Sequence, residues 1–333
     1  MTGRVTMRDV ARVVGKSPMT VSRALRGDTT VSAKTRALVR ECADEMGYVY
    51  DSTAQVFRTQ KSGFVAVTVP SINNANFAET FRGLSDGLEG TGMQLLLGST
   101  NYSVDKELEI VRQMLARNPE AIVLTGGYHL PQTRGLLEKT QIPVIEIWDL
   151  ATDPLGHVVG FSNAEAMSKI VNELAQNGRR KLAFIGASAG SDMRGSARRD
   201  SVIAAAHALG LPEVRFIDAG AAPVSMRHGA QAVKDLGQAV NGFDALVCVS
   251  DPVAFGALNE CRRLGISVPQ DIAITGFGNF DVATVSSPRI TTVNVHANEI
   301  GRKVAGVLAD IFAGQADAQR IDVGSTLVRG ETV

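Results

Sequence analysis

From residue 63 onward, short apolar runs rich in Val, Ile and Ala alternate with segments of helical periodicity, and this alternation leaves few folds open. The runs fall at 64–69, 94–97, 121–124, 144–147, 182–185, 245–249 and 272–275. Strands buried on both faces read as continuous apolar runs, and strands that alternate with helices pair in parallel beneath them. Seven such strands make one large sheet or two smaller ones. The break near 149–160, with Pro154 and Gly156 between two strand-helix series, favours two similar subdomains. In such folds ligands bind beyond the carboxyl ends of the strands, so two facing subdomains create a cleft lined by those loops.

At 333 residues the chain is too long for one ordinary core, and 44% hydrophobic with 20% charged residues excludes a mainly disordered or collagen-like chain. No apolar run approaches the roughly eighteen residues needed to span a bilayer. The polar start, Met1-Thr2-Gly3-Arg4, lacks the apolar stretch of a secretory signal, so a cytoplasmic location is expected. Cys42, Cys248 and Cys261 show neither metal-ligand nor redox spacing and are expected to be buried thiols. The five histidines, His129, His157, His207, His228 and His296, also lack metal spacing, and no metal or cofactor is expected.

The net charge is zero but unevenly placed. Residues 1–62 carry 11 Lys and Arg against 6 Asp and Glu, and the remainder carries 23 against 28. A small basic module ahead of a large acidic one is the footprint of an N-terminal unit that meets phosphate. Within it, Thr6-Met7-Arg8-Asp9 has capping-box spacing, and Gly15 ends the short helix that follows. Ser17 caps a second helix with Pro18 at its first position and Val21, Ala24 and Leu25 as its buried stripe. A third helix starts at Ser32, places Val39, Cys42, Ala43 and Met46 on one face, and stops at Gly47. Two short helices at a tight turn with a third packed across them are the parts of a helix-turn-helix, whose second helix enters the major groove. That helix exposes Met19, Thr20, Ser22, Arg23 and Arg26. Arg23 can fork onto guanine O6 and N7, Met19 can touch a thymine methyl, and the others suit bases or phosphates. A three-helix unit that binds protein is the alternative.

Val5 to Ala11, Gly15 to Arg23, Val31 to Arg36 and Met46-Gly47-Tyr48 closely resemble the headpiece of the LacI/GalR family of bacterial repressors. The resemblance implies that Pro18, Met19, Ser22 and Arg23 read bases and that Thr20, Arg26, Ser32 and Thr35 hold phosphates, with the cap Ser17 beside them on double-stranded operator DNA. It also implies that residues 48–62 are a hinge linker in which Phe57 takes the place of the family's usual Leu wedge, used by paired hinges to open a minor-groove base step. Tyr50-Asp51 departs from the family's Pro-Asn, and Asp51 reads best as a helix cap. The expected organisation is therefore a headpiece at 1–47, a hinge at 48–62, and an effector-binding and dimerisation domain at 63–333 made of two doubly wound parallel-sheet subdomains of periplasmic-binding-protein type.

The loops beyond the strands are 70–77, 125–130, 146–150, 161–163, 186–199, 250–251 and 277–281. From them Phe77 and Trp148 offer flat faces to a sugar's carbon surface, and Asn163, Ser250 and Asn279 can bond hydroxyls. Arg198 can fork onto a carboxylate. Thr125, Glu146, Phe161 and Asp251 complete the candidate effector set. The family resemblance extends over the whole chain, and within it Ile142 to Asp149 and Val159 to Asn163 look most like the gluconate-repressor branch. Ser250 stands where the family often has Asn, and Gly278 where an Asp commonly bonds a sugar hydroxyl, which favours an acidic ligand over a neutral hexose. No Leu-heptad tail follows Val333, so a homodimer is expected. The resemblance implies a transcriptional repressor released from its operator by a small sugar-acid effector such as gluconate or a gluconate derivative, with a co-repressor type, in which ligand tightens operator binding, as the alternative.

Other classes fit less well. Gly186-Ala187-Ser188-Ala189-Gly190 matches the hydrolase elbow G-x-S-x-G, with Asp218 and His228 downstream. The elbow needs a helix immediately after Ser, whereas 191–196 reads as polar loop. No strand is followed by G-x-G-x-x-G, which excludes the usual dinucleotide site. An exported sugar-binding protein would share the fold but has no use for a basic headpiece. The chain is expected not to be an enzyme.

Overall fold

Thr6 and Asp9 close the capping box at the start of α1 (Met7–Val14), and Gly15 ends the helix in the left-handed conformation. Ser17 caps α2 (Pro18–Leu25), accepting a hydrogen bond from the Thr20 amide, and Ser32 caps α3 (Ala33–Glu45) in the same way through Thr35. Val10, Ala11, Val21, Ala24, Val39, Cys42 and Ala43 meet in one small core, whose apolar burial at about 25 cal/mol per Å2 holds the three helices together. The structure, a computed structural model, describes residues 5–49, 62–190, 192–315 and 317–333. The chain divides into two compact units, 1–61 and 62–333.

The second unit opens with β1 (Phe64–Val69), α4 (Ala75–Gly87), β2 (Gln94–Ser99), α5 (Val104–Leu115), β3 (Ala121–Thr125), α6 (Pro131–Thr140), β4 (Val144–Ile147) and β5 (His157–Gly160). It continues with α7 (Asn163–Gln176), β6 (Leu182–Gly186), α8 (Met193–Ala208), β7 (Arg215–Asp218), α9 (Met226–Leu236), β8 (Ala245–Cys248), α10 (Asp251–Arg263) and β9 (Ala273–Thr275). It closes with α11 (Asp281–Val285), β10 (Thr292–Asn294), α12 (Ala297–Phe312), β11 (Arg320–Asp322) and β12 (Thr326–Val328). Two parallel sheets result, ordered β11-β5-β4-β3-β1-β2 and β7-β6-β8-β9, with β10 and β12 forming a small antiparallel pair. Both sheets reverse winding direction beside their first strand, β1 against β3 and β6 against β8, and the carboxyl ends at those switch points are where such folds bind ligands.

All seven expected strands form, but β5, β7, β10, β11 and β12 were not anticipated. The break expected at 149–160 contains β5, which extends the first sheet, so the chain leaves that subdomain only at Phe161-Ser162. Nor are the subdomains two consecutive halves. After β10 the chain returns: α12 packs on α4 and β11 pairs with β5, before β12 pairs with β10. The return is possible because α4 and α12 meet at glycines. A Cβ on Gly83 would strike the Asn298 carbonyl, and one on Gly301 would strike the Thr80 carbonyl.

Alternation along the strands divides the first sheet's side chains. Val65, Val67, Ile145 and Ile147 face the core shared with α4 and α12, while Ala66, Ile122, Leu124 and Val144 face Val111, Met114 and Leu137 of α5 and α6. All three cysteines are buried thiols, and burial pushes Cys261 up to about 11, which keeps it unreactive. Among the described residues no helix is long and apolar enough to cross a membrane.

Candidate functional site

In the N-terminal unit, Val21 and Ala24 turn one face of α2 into the core, which obliges Met19, Ser22, Arg23 and Arg26 to occupy the other. Met19 is 65% exposed on that outward face. Ser17, Pro18 and Arg23 are exposed, and Thr20, Ser22 and Arg26 are half-buried. Arg26 donates its Nε to the Ser22 carbonyl at 3.1 Å, which draws the guanidinium along the helix. Asp28 is held below the usual carboxylate range by the Thr30 hydroxyl and amide, with Arg23 and Arg26 adding to the effect. At the start of α3, Ser32 is exposed and its hydroxyl lies 2.9 Å from that of Thr35. These nine expected DNA contacts thus lie on α2 with its cap and at the N-terminus of α3. Phe57, the expected wedge, and Tyr50-Asp51 lie outside the described residues.

In the second unit, the carboxyl ends of both sheets meet over a chain of rings. Phe77 and Trp148 pack edge to face with centroids 4.9 Å apart, Trp148 meets Phe161 at 5.9 Å, and Phe161 meets Phe277 at 6.0 Å. Two arginines one turn apart on α8 reach this chain. The Arg194 guanidinium lies 5.2 Å from the Phe77 ring centroid and that of Arg198 lies 4.6 Å from Phe277. Arg198 is buried and stands 3.8 Å from the Asp192 carboxylate, too far for a strong hydrogen bond, and its Nε lacks a partner. Burial lowers its pKa, Asp192 opposes this, and Arg194 adds to it. Phe77, Trp148, Arg194, Arg198 and Ser250 line a cavity of about 40 Å3. A second cavity of about 60 Å3, lined by Thr125, Asp149, Tyr102 and Gly126, shares Arg194 and Asp192 with it. Space of this size holds a few waters at most, and a larger cavity of about 460 Å3 adjoins the first, sharing Asn74, Tyr102, Ser250 and Phe280 with it. Burial raises the Asp149 carboxyl pKa, while Arg194, Arg198 and Asn163 pull it down.

The expected effector residues therefore separate. Phe77, Trp148, Arg198 and Ser250 come together, with Thr125 beside them, its hydroxyl donated to the Thr68 carbonyl at 2.6 Å. Phe161 is buried behind Trp148, and Asn163 donates to Asp149 at 2.7 Å, so both support the site. Asp251 lies beneath it, fully buried. It accepts from the Thr292 hydroxyl at 2.6 Å and the Phe280 amide at 2.7 Å, which fixes the 277–280 loop. Two placements are corrected. Asn279, with φ of 55°, lines a separate groove with Asn294 and His296. Glu146 is 0% exposed and faces α5, because it alternates with Ile145 and Ile147.

Arg194, Asp149, Asp192 and Tyr102 were missed. The i, i+4 spacing of Arg194 and Arg198 is the available signal, obscured because the polar stretch 186–199 resembles a loop although α8 begins at Met193. The hydrolase match does not assemble. Ser188 donates directly to Asp218 at 2.7 Å, and His228 Nδ1 is engaged by Ser225 at the start of α9.

Comparison with known proteins agrees with this anatomy. Residues 6–51 match the bacterial regulatory proteins of the lacI family, and residues 171–333 match the periplasmic binding protein-like domain. The chain is 32% identical to the HTH-type transcriptional regulator GntR of Pseudomonas aeruginosa over 99% of its own length and 96% of that protein. Among solved structures, a LacI family transcriptional regulator from Silicibacter pomeroyi is 39% identical with a TM-score of 0.75, covering 81% of this chain and 98% of that one. The transcription regulator GntR from Chromobacterium violaceum is 32% identical with a TM-score of 0.75 over the same shares.

Proposed function

Because the chain belongs to the LacI family of DNA-binding transcriptional regulators, we propose that it is a dimeric repressor whose hold on operator DNA is relieved by a sugar acid, gluconate or a close derivative. The observation that carries the choice of ligand is Arg198. A buried guanidinium that only grazes its nearest carboxylate, in a cavity walled by aromatic rings, is a site for a carboxylate on a short carbon chain. Arg194 beside it adds a second positive charge, Phe77 and Trp148 supply apolar faces, and Ser250, Asp149 and Thr125 supply hydroxyl partners. The likeness of 142–149 and 159–163 to the gluconate repressors supports the same choice. Arg23 and Met19 on α2 read bases in this account, while Thr20, Arg26, Ser32 and Thr35 hold the backbone.

Ligand and operator compete through the arrangement of the two subdomains. An effector shifts that equilibrium only by its differential affinity for the two arrangements, and the operator weakens effector binding by the same factor. Calorimetric titration of the wild type with gluconate, 2-ketogluconate, 6-phosphogluconate and glucose tests the reading. It stands if an acid binds in preference to glucose, and it fails if glucose binds better than every acid.

A further inference from the structure

Behind the cleft lies a buried line of charge that neither DNA nor ligand recognition uses. His129, in the loop between β3 and α6, has Nδ1 2.7 Å from Glu107 Oε1 on α5 and Nε2 3.3 Å from Glu146 Oε1 on β4. The imidazole and the Glu146 side chain are fully enclosed, and the Glu107 side chain is 7% exposed. The Nδ1 contact with Glu107 is a hydrogen bond, whereas Nε2 and both Glu146 oxygens make none, so a protonated ring holds Glu146 as an ion pair and a neutral ring with its proton on Nδ1 would turn a lone pair toward it. Two ionised carboxylates buried in one place are costly, and a cation between them offsets that cost. Burial works against the charged ring, yet Glu107 and Glu146 outweigh it and raise the His129 pKa to about 9.

The loop that His129 anchors is part of the ligand site. Gly126 and Tyr128 line the outer cavity with Asp149 and Arg194, and Glu107 reaches the same cavity. The Gly127 amide lies close enough to the Asp149 carboxylate to lower its pKa. Gly126 has φ of 100°, and a Cβ on Gly127 would press within 2.6 Å of Ala151 Cβ, so the loop takes a path open to glycine and needs an external anchor.

We propose that Glu107, His129 and Glu146 form a positioning clamp for the ligand site, in which a protonated His129 ties the 126–130 loop to α5 and β4 and so sets the geometry of the Asp149 end of the cavity. Loss of that proton at alkaline pH frees the loop and weakens ligand binding. The groups facing the ring are Glu107 from α5 and Glu146 from β4, and Tyr102 across the cavity ionises above its ordinary value of 10.0. The proposal rests on the sugar-acid reading only for the choice of probe.

The test is an NMR titration of the ligand-free full-length protein between about pH 6 and pH 10, following the His129 ring nitrogens and the amides of Gly126 to Tyr128, with gluconate calorimetry in parallel. The ring is expected to be doubly protonated at neutral pH. The loop amides should titrate with it near 9, and gluconate affinity should fall about five- to tenfold by the top of the range. His129→Gln should bind gluconate at least about tenfold more weakly at neutral pH, with a flat pH profile. Glu107→Gln should move the midpoint toward neutrality, and it serves in place of His129→Gln if that variant does not fold. A ring that is neutral at pH 7, loop amides indifferent to its titration, or a His129→Gln variant with wild-type affinity and pH profile would overturn the clamp. If the wild type binds no acid, the sugar-acid reading fails, while the NMR midpoints still decide the clamp.

Discussion

The guanidinium of Arg198 lies 4.6 Å from the centroid of the Phe277 ring, and this contact bridges α8 to the loop after β9. The ring supports the charge from one side without satisfying its hydrogen bonds, which leaves the planar fork for a ligand. Arg198→Lys keeps a positive charge but loses the fork. Gluconate affinity in the variant is expected to fall by about tenfold or more by calorimetry, with little change in thermal stability. Unchanged affinity would show that Arg198 serves packing alone.

On α2, Arg23→Ala is expected to weaken binding to a pseudo-palindromic operator by about 1–3 kcal/mol per half-site and to relax base preference at one position in each. Arg26 is drawn back along the helix by its bond to the Ser22 carbonyl, so Arg26→Ala should weaken all sequences alike. Competition binding against a library of operator variants separates the two effects.

How much of this was legible in the sequence depended on how local the signal was. The three headpiece helices could be read almost to the residue, because Thr6 with Asp9, Ser17 with Pro18, and Ser32 are start signals that act within one turn. β7, β11 and β12 escaped because they are short and half-exposed, with Arg215, Asp218, Arg320 and Asp322 in strand positions. β5 is fully buried, but Pro154, Gly156 and Gly160 around it resemble a linker. The chain's return through α12 and β11 is a long-range pairing that no local pattern announces. In the site, Glu146 belongs to β4 and not to the loop after it, and its alternation with Ile145 and Ile147 is visible in the sequence. Asp192 and Tyr102 join the site only when two sheets close on each other, and sequence spacing holds no trace of that.

The contact between α4 and α12 gives a stability prediction. Gly83→Ala or Gly301→Ala places a methyl against a backbone carbonyl of the facing helix, which cannot rotate away. Each is expected to destabilise the second unit by about 1–3 kcal/mol in chemical denaturation. Gly135→Ala, with open space at that position inside α6, is the matched control and should stabilise by about 0.5–1 kcal/mol through helix propensity.

Asp251 makes stability depend on pH. Burial pushes its carboxyl up to about 7 from 3.8, against hydrogen bonds from Thr292 and from the loop amides. The folded state thus holds this proton more tightly than the unfolded state does. The resulting contribution to stability is complete below about pH 3.8 and is lost as pH rises through about 7. Thr292→Val removes the hydroxyl that donates to Asp251 Oδ1 at 2.6 Å and supports the charged form. Its cost should be about 1–3 kcal/mol above neutral pH and smaller in mild acid. Equal cost at both pH values would mean that Asp251 keeps one protonation state throughout.

The most direct test of the account is operator affinity measured by fluorescence anisotropy at fixed salt, with and without saturating gluconate, for the wild type and Arg198→Ala. The account predicts that gluconate weakens wild-type operator binding by about 1–3 kcal/mol and leaves Arg198→Ala unmoved. Operator binding that gluconate tightens, or that it shifts equally in both proteins, would contradict it.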